Sequence, residues 1–192
     1  MKTIVSTLNV MMILLVLAFS ACGTSSPTSK TEAPPSGAAP RWGVQTKTSG
    51  CRANGPFPDT ACTPGDIIST ATKSQICQSG YASTVRNVTT STKNQAYRMY
   101  GITSRRPGQY EVDHLVSLEL GGSNDISNLW PEAASPTPGF HEKDKVENYL
   151  HNQVCNGAVS LQQAQIEIAT NWMNVYKTMP KNSSGSSSTD SQ

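Results

Sequence analysis

Asp113 and His114, adjacent in a chain of 192 residues, are the pair whose types could do the most chemistry. Hydrolysing a phosphodiester requires an activated water, a cation to offset charge on the phosphorane and leaving oxygen, and rigid placement of both. A histidine titrates near neutrality and can take the proton from water, while a neighbouring carboxylate can hold a hard cation. Tyr110-Glu111-Val112-Asp113-His114-Leu115-Val116 reads as a strand by its β-branched and aromatic content. Alternation along that strand sets Glu111 and Asp113 on one face and His114 on the other, so a bend after His114 is needed to aim both groups at one phosphate.

The elements that must position this pair follow from the flanking patterns. Gly121-Gly122 and Ser123-Asn124-Asp125 interrupt the strand, and Ile126 to Trp130 offers a second extended segment before Pro131. After a Pro-rich connection (131–138), residues 140–155 read as a helix, with Val146, Leu150 and Val154 four apart and Gly157 as the stop. A last helix starts at Ser160, which forms a capping box with Gln163, and buries Leu161, Ala164, Ile168, Trp172 and Val175. Upstream, 72–77 reads as a short helix ending before Gly80. Residues 91–100 read as a longer one, capped by Ser91, with Ala96, Tyr97 and Tyr100 on its apolar face and Gly101 at its end. Arg106-Pro107-Gly108 marks a turn. The fold class expected is α+β, mainly helical.

The stretch YEVDHLVSLELGGSNDISNLWPE, residues 110–132, resembles the first two elements of the HNH endonuclease motif: Asp-His, a Gly-Gly loop at the usual distance, then Asn128-Leu129. The resemblance implies a ββα-metal core over 108–148, in which two strands and a helix hold one divalent cation, Mg2+ first, with Mn2+, Zn2+ or Ni2+ as alternatives. By that analogy His114 is the general base and Asp113 a metal ligand, while the Asn128 amide ties the loop together and holds His114 in place. The third element is expected on the following helix at His141, with Asp144 and Glu147 as reserves. Ser117 stands where many members of the family have Pro. The paired CxxC motifs that give some members a structural zinc are absent.

Other candidates have plainer readings. Arg105 and Arg106, just before the strand, are expected at the mouth of the site, where arginine makes bidentate phosphate contacts. Lys143 and Lys145 read as solvated helix charges, and His151 as a surface or packing residue. Tyr97, Tyr100, Trp130, Trp172 and Tyr176 sit in apolar patterns and are expected in the core. The formal charge of +2 hides an asymmetry. Basic residues dominate 47–106 and acidic ones 107–180, which suits steering of a polyanion by one half and retention of a cation by the other.

The N-terminus reads as an export signal. Lys2 precedes an apolar run from Val10 to Phe19, too short for a membrane span, and Phe19-Ser20-Ala21-Cys22 resembles a lipobox with Phe in place of the usual Leu. This implies a signal peptide over 1–22, lipidation of Cys22 and an extracytoplasmic bacterial lipoprotein on the cell or outer membrane. Residues 23–43 read as a disordered tether, 44–180 as one domain and 181–192 as a disordered tail. The four remaining cysteines point to disulfides, with Cys51–Cys62 and Cys77–Cys155 favoured. The function expected is a monomeric, membrane-anchored, metal-dependent endonuclease acting on DNA or RNA. An inactive HNH-fold lipoprotein that binds nucleic acid or another polymer, and a purely structural lipoprotein, are the alternatives.

Overall fold

The computed structural model describes residues 40–181, all within the unit Pro34–Gln192. The expected signal segment, Cys22, most of the tether and the tail lie outside the described residues. The fold is α+β, a small mixed domain in which helices α1 (Lys73–Ile76), α2 (Tyr81–Val85) and α3 (Thr90–Met99) precede a two-stranded sheet. Strands β1 (Tyr110–His114) and β2 (Leu129–Ala133) are followed by α4 (Phe140–Cys155) and α5 (Leu161–Thr178). None of the described helices is long and apolar enough to cross a membrane.

β1 and β2 run antiparallel, with Glu111 opposite Glu132, Asp113 opposite Trp130 and His114 opposite Leu129. β1 stops at His114, two residues short of the run expected, because the chain turns there into a 3-10 turn at Leu118–Leu120. β2 runs further than expected, through Pro131 to Ala133. A sheet of two strands has only edges, so a proline without an N–H can face away from the ladder. Ile126–Asn128, expected as extended, forms a second 3-10 turn, because the Asp125 carboxylate accepts the Ser127 N–H at 2.8 Å and caps it. The helix before β1 is capped by Thr89, whose hydroxyl accepts the Thr92 N–H at 3.1 Å, rather than by Ser91, which lies within the first turn.

The apolar stripe of α4 (Val146, Leu150, Val154) meets Ala164, Ile168 and Trp172 of α5, with Leu115, Val116, Leu120 and Trp130 closing the core from the hairpin side. Trp130 and Trp172 are almost completely buried. Truncating either to Ala would cost about 3–5 kcal/mol. Ser160 caps α5 through the Gln163 N–H at 3.1 Å, as the capping pattern predicts. Gly139, before α4, is packed so closely that a Cβ there would lie 2.2 Å from the Ala133 carbonyl oxygen, which fixes how the helix leaves β2.

Disulfides join Cys51 to Cys62 and Cys77 to Cys155, the pairing favoured from the sequence. The first ties a small cluster with Met99. The second bridges 78 residues and fastens the region of α1 to the end of α4.

Candidate active site

The loop after β1 is built around one amide. Asn128 Oδ1 accepts the Val116 N–H at 2.9 Å and the Asp66 N–H at 3.2 Å, and its Nδ2 donates to the carbonyls of Val116 at 3.0 Å and Ser123 at 2.8 Å. Its backbone carbonyl accepts the Leu115 N–H at 2.8 Å. All four hydrogen-bonding positions of a fully buried side chain are thus used to hold both arms of the loop. Gly122 lies between those arms, and a Cβ there would fall 1.8 Å from the Val116 carbonyl oxygen. Ser117 has a φ of −64°, which a proline would also adopt, so the departure from the family pattern leaves the backbone path intact.

His114 sits at the end of β1 with only 4% of its surface exposed. Its Nε2 lies 3.3 Å from Asn124 Oδ1. That oxygen also accepts the Asn87 N–H at 3.1 Å, while Asn124 Nδ2 donates to the Val85 carbonyl at 2.8 Å. Two backbone partners therefore fix the amide with its oxygen toward the imidazole, so Nε2 carries the hydrogen and Nδ1 the lone pair. Burial lowers the His114 pKa to about 4, against the pull of the Asp113 charge. The ring is neutral at pH 7, the form a general base requires.

Beneath His114, Lys143 is completely buried. Its Nζ donates to Asp113 Oδ2 at 2.7 Å, to the His114 carbonyl at 2.8 Å and to Glu147 Oε1. Asp113 Oδ1 accepts the His114 N–H at 2.7 Å, so both of its oxygens are engaged. Burial alone would lower the Lys143 pKa, but Asp113, Glu147 and Glu132 outweigh it and hold the amine well above the usual lysine range. Burial alone would raise Asp113, and Lys143 outweighs it to keep the carboxylate ionised. Glu132 and Glu147 are pushed well up by burial, and neither Glu132 oxygen has a hydrogen-bond partner of good geometry. Burial, then the charge of Asp113, raises Asp144 to about 6 and raises Glu111 as well.

These residues do not fit the divalent ion that the family resemblance implies. Asp113 is the expected ligand, yet an ammonium holds one of its oxygens and a backbone N–H the other. Among the described residues, the only three Cys, His, Asp or Glu ligand atoms close enough to share an ion belong to Cys77, His151 and Cys155, within 4.8 Å of one another. Both of those sulfurs are spent in a disulfide, and His151 Nε2 donates to the Ile76 carbonyl at 2.9 Å, so His151 acts as a packing residue that ties α4 to α1.

The remaining candidates are spread around the hairpin. His141 is exposed on the first turn of α4, its ring centroid 4.1 Å from that of Phe140. Lys143 and Glu147 reach Asp113 from that helix instead, because they lie on its buried side. Lys143 is thus not the solvated charge expected, whereas Lys145 is exposed, 3.4 Å from Glu142. The Arg105 guanidinium stands over Tyr97, its carbon 3.6 Å from the ring centroid, and Arg106 lines a shallow pocket with Gln109 and Tyr110. Both precede β1, whose far end carries His114 and which itself spans about 13 Å.

Arg86, rather than either of those, is the arginine whose charge reaches His114. It is exposed, makes no salt bridge among the described residues, and its charge is felt by both His114 and Glu111. Lys93, also exposed, acts on Glu111 in the same way. Reading the sequence missed Asn124, Arg86, Glu132 and the role of Lys143. For Lys143 a signal was present, since it continues the stripe Val146, Leu150, Val154 at helical spacing, and a lysine on a buried stripe must carry carboxylates with it. Models of protein families, curated proteins and solved structures were compared with the chain, and none matched.

Proposed function

We propose that the domain is an endonuclease-type phosphodiesterase built on a ββα core of β1, β2 and α4, with His114 Nδ1 as the general base. One observation carries this reading: a neutral imidazole at the end of β1 whose Nε2–H is held by an amide that the backbone itself orients. Such a ring can receive a proton only at Nδ1, which is the directional requirement of a base acting on water. Asn128 serves as a positioning residue, because its four hydrogen bonds set the bend that carries His114. Arg86 is the phosphate contact, an exposed guanidinium with no salt bridge among the described residues, next in the chain to Asn87, whose N–H bonds the amide that holds His114. The two disulfides suit an oxidising compartment and support an exported protein.

Purified full chain is incubated with supercoiled plasmid and with single-stranded RNA. Nicking or cleavage that disappears in His114→Ala and is slowed about tenfold or more in Arg86→Ala is the expected outcome. Cleavage that survives His114→Ala overturns the assignment of the base. The deep burial of His114 favours a second reading, in which the fold holds a nucleic-acid backbone without cutting it. A shifted band without cleavage, abolished by Arg86→Ala, would be its signature.

A further inference from the structure

We propose that the Lys143 ammonium is a built-in cation, occupying the place between Asp113 and α4 that a divalent ion would take, so that the domain handles phosphodiesters without a bound metal. The last clause rests on the phosphodiesterase reading; the filled cation position does not. An ammonium has three N–H donors, and here each has an oxygen acceptor: Asp113 Oδ2, the His114 carbonyl and Glu147 Oε1. Two carboxylates and a backbone carbonyl are also the oxygens that a hard divalent cation selects.

The two cations exclude each other. A metal binds a carboxylate oxygen at roughly 2.0–2.2 Å, and the Lys143 nitrogen already stands 2.7 Å from Asp113 Oδ2, while Oδ1 accepts the His114 N–H. Nor can the lysine swing aside, since its side chain is wholly buried at the head of the stripe that α4 packs into the core. The arrangement delivers a fixed single charge to the underside of His114. Charge on the phosphate itself is left to Arg86 and Lys93, both exposed and both acting on Glu111.

The test is Mn2+ binding to the full chain, read by electron paramagnetic resonance and by paramagnetic broadening of the Asp113 and Leu115 amide signals. Wild-type protein is expected to show no broadening there at millimolar Mn2+. Lys143→Ala, which vacates the position, is expected to gain a site of roughly tenfold higher Mn2+ affinity or more, lost again when Asp113→Asn is added. Saturable broadening of these amides in the wild type overturns the proposal, and so does a folded Lys143→Ala that gains nothing. Should Lys143→Ala fail to fold, the wild-type titration still decides. Because this readout is independent of cleavage, a chain that neither binds Mn2+ nor cuts would sink the phosphodiesterase reading and leave the filled position standing.

Discussion

The two ends of α4 each gather residues of the metal-binding type, and neither end leaves them available. At the C-terminal end, Cys155, Cys77 and His151 come within ligand distance of one another, but the sulfurs are joined covalently. At the N-terminal end, Asp113 and Glu147 converge on one point, but the Lys143 ammonium occupies it. The first closure depends on an oxidising environment and the second on a single side chain. Ligand-type residues in proximity are therefore a weak guide to a bound ion until their existing bonds have been counted.

Breaking the covalent end should have the larger effect. Replacing Cys77 and Cys155 by Ser opens a bridge with a sequence separation of 78 and should cost about 4.5 kcal/mol in urea unfolding. The same change at Cys51 and Cys62, separated by 11, should cost about 3 kcal/mol. Equal losses would show that loop closure is not what these staples contribute.

Breaking the ionic end comes next. Lys143→Met leaves the Asp113 carboxylate buried without its counter-charge and Glu147 without its hydrogen-bond partner, and should cost about 4 kcal/mol by the same measurement, whereas Lys145→Met, at an exposed pair, should change stability by less than about 0.5 kcal/mol. A mild effect of Lys143→Met would mean that the amine is not the partner that keeps Asp113 ionised.

These two ends also mark how far the sequence could be read. The bridge, the hairpin and the last two helices were legible because turn residues, helical spacing and an even cysteine count act locally or by simple combinatorics. The strand through Pro131 and the short helix α2 were not, since neither a proline in a strand nor a five-residue helix behind a left-handed Gly80 has a local signature. At the site, the Asp-His pair and Asn128 stood out, while Lys143 looked like any lysine on a helix. Its partners lie 30 residues away on β1 and one turn further along α4, so only the fold reveals that it is buried.

The remaining predicted effect concerns pH. His114 titrates at about 4 in the folded chain and near 6.5 unfolded, so between those values the unfolded chain binds the extra proton and stability falls as pH falls. The full loss, reached below pH 4, is about 3 kcal/mol. Asp144 opposes it, since its folded value of about 6 lies above the unfolded one and stabilises the fold as pH drops through 6. Stability of His114→Ala relative to wild type should therefore improve steadily from pH 6.5 to 4, and that of Asp144→Asn should change in the opposite sense. A His114→Ala difference independent of pH would show that the imidazole is not held neutral by burial.

Plasmid nicking by the full chain in excess EDTA, with His114→Ala alongside, tests the central claim most directly. The account predicts nicking that persists in the chelator and vanishes with the imidazole; nicking that appears only with added Mg2+ or Mn2+, or that survives His114→Ala, would contradict it.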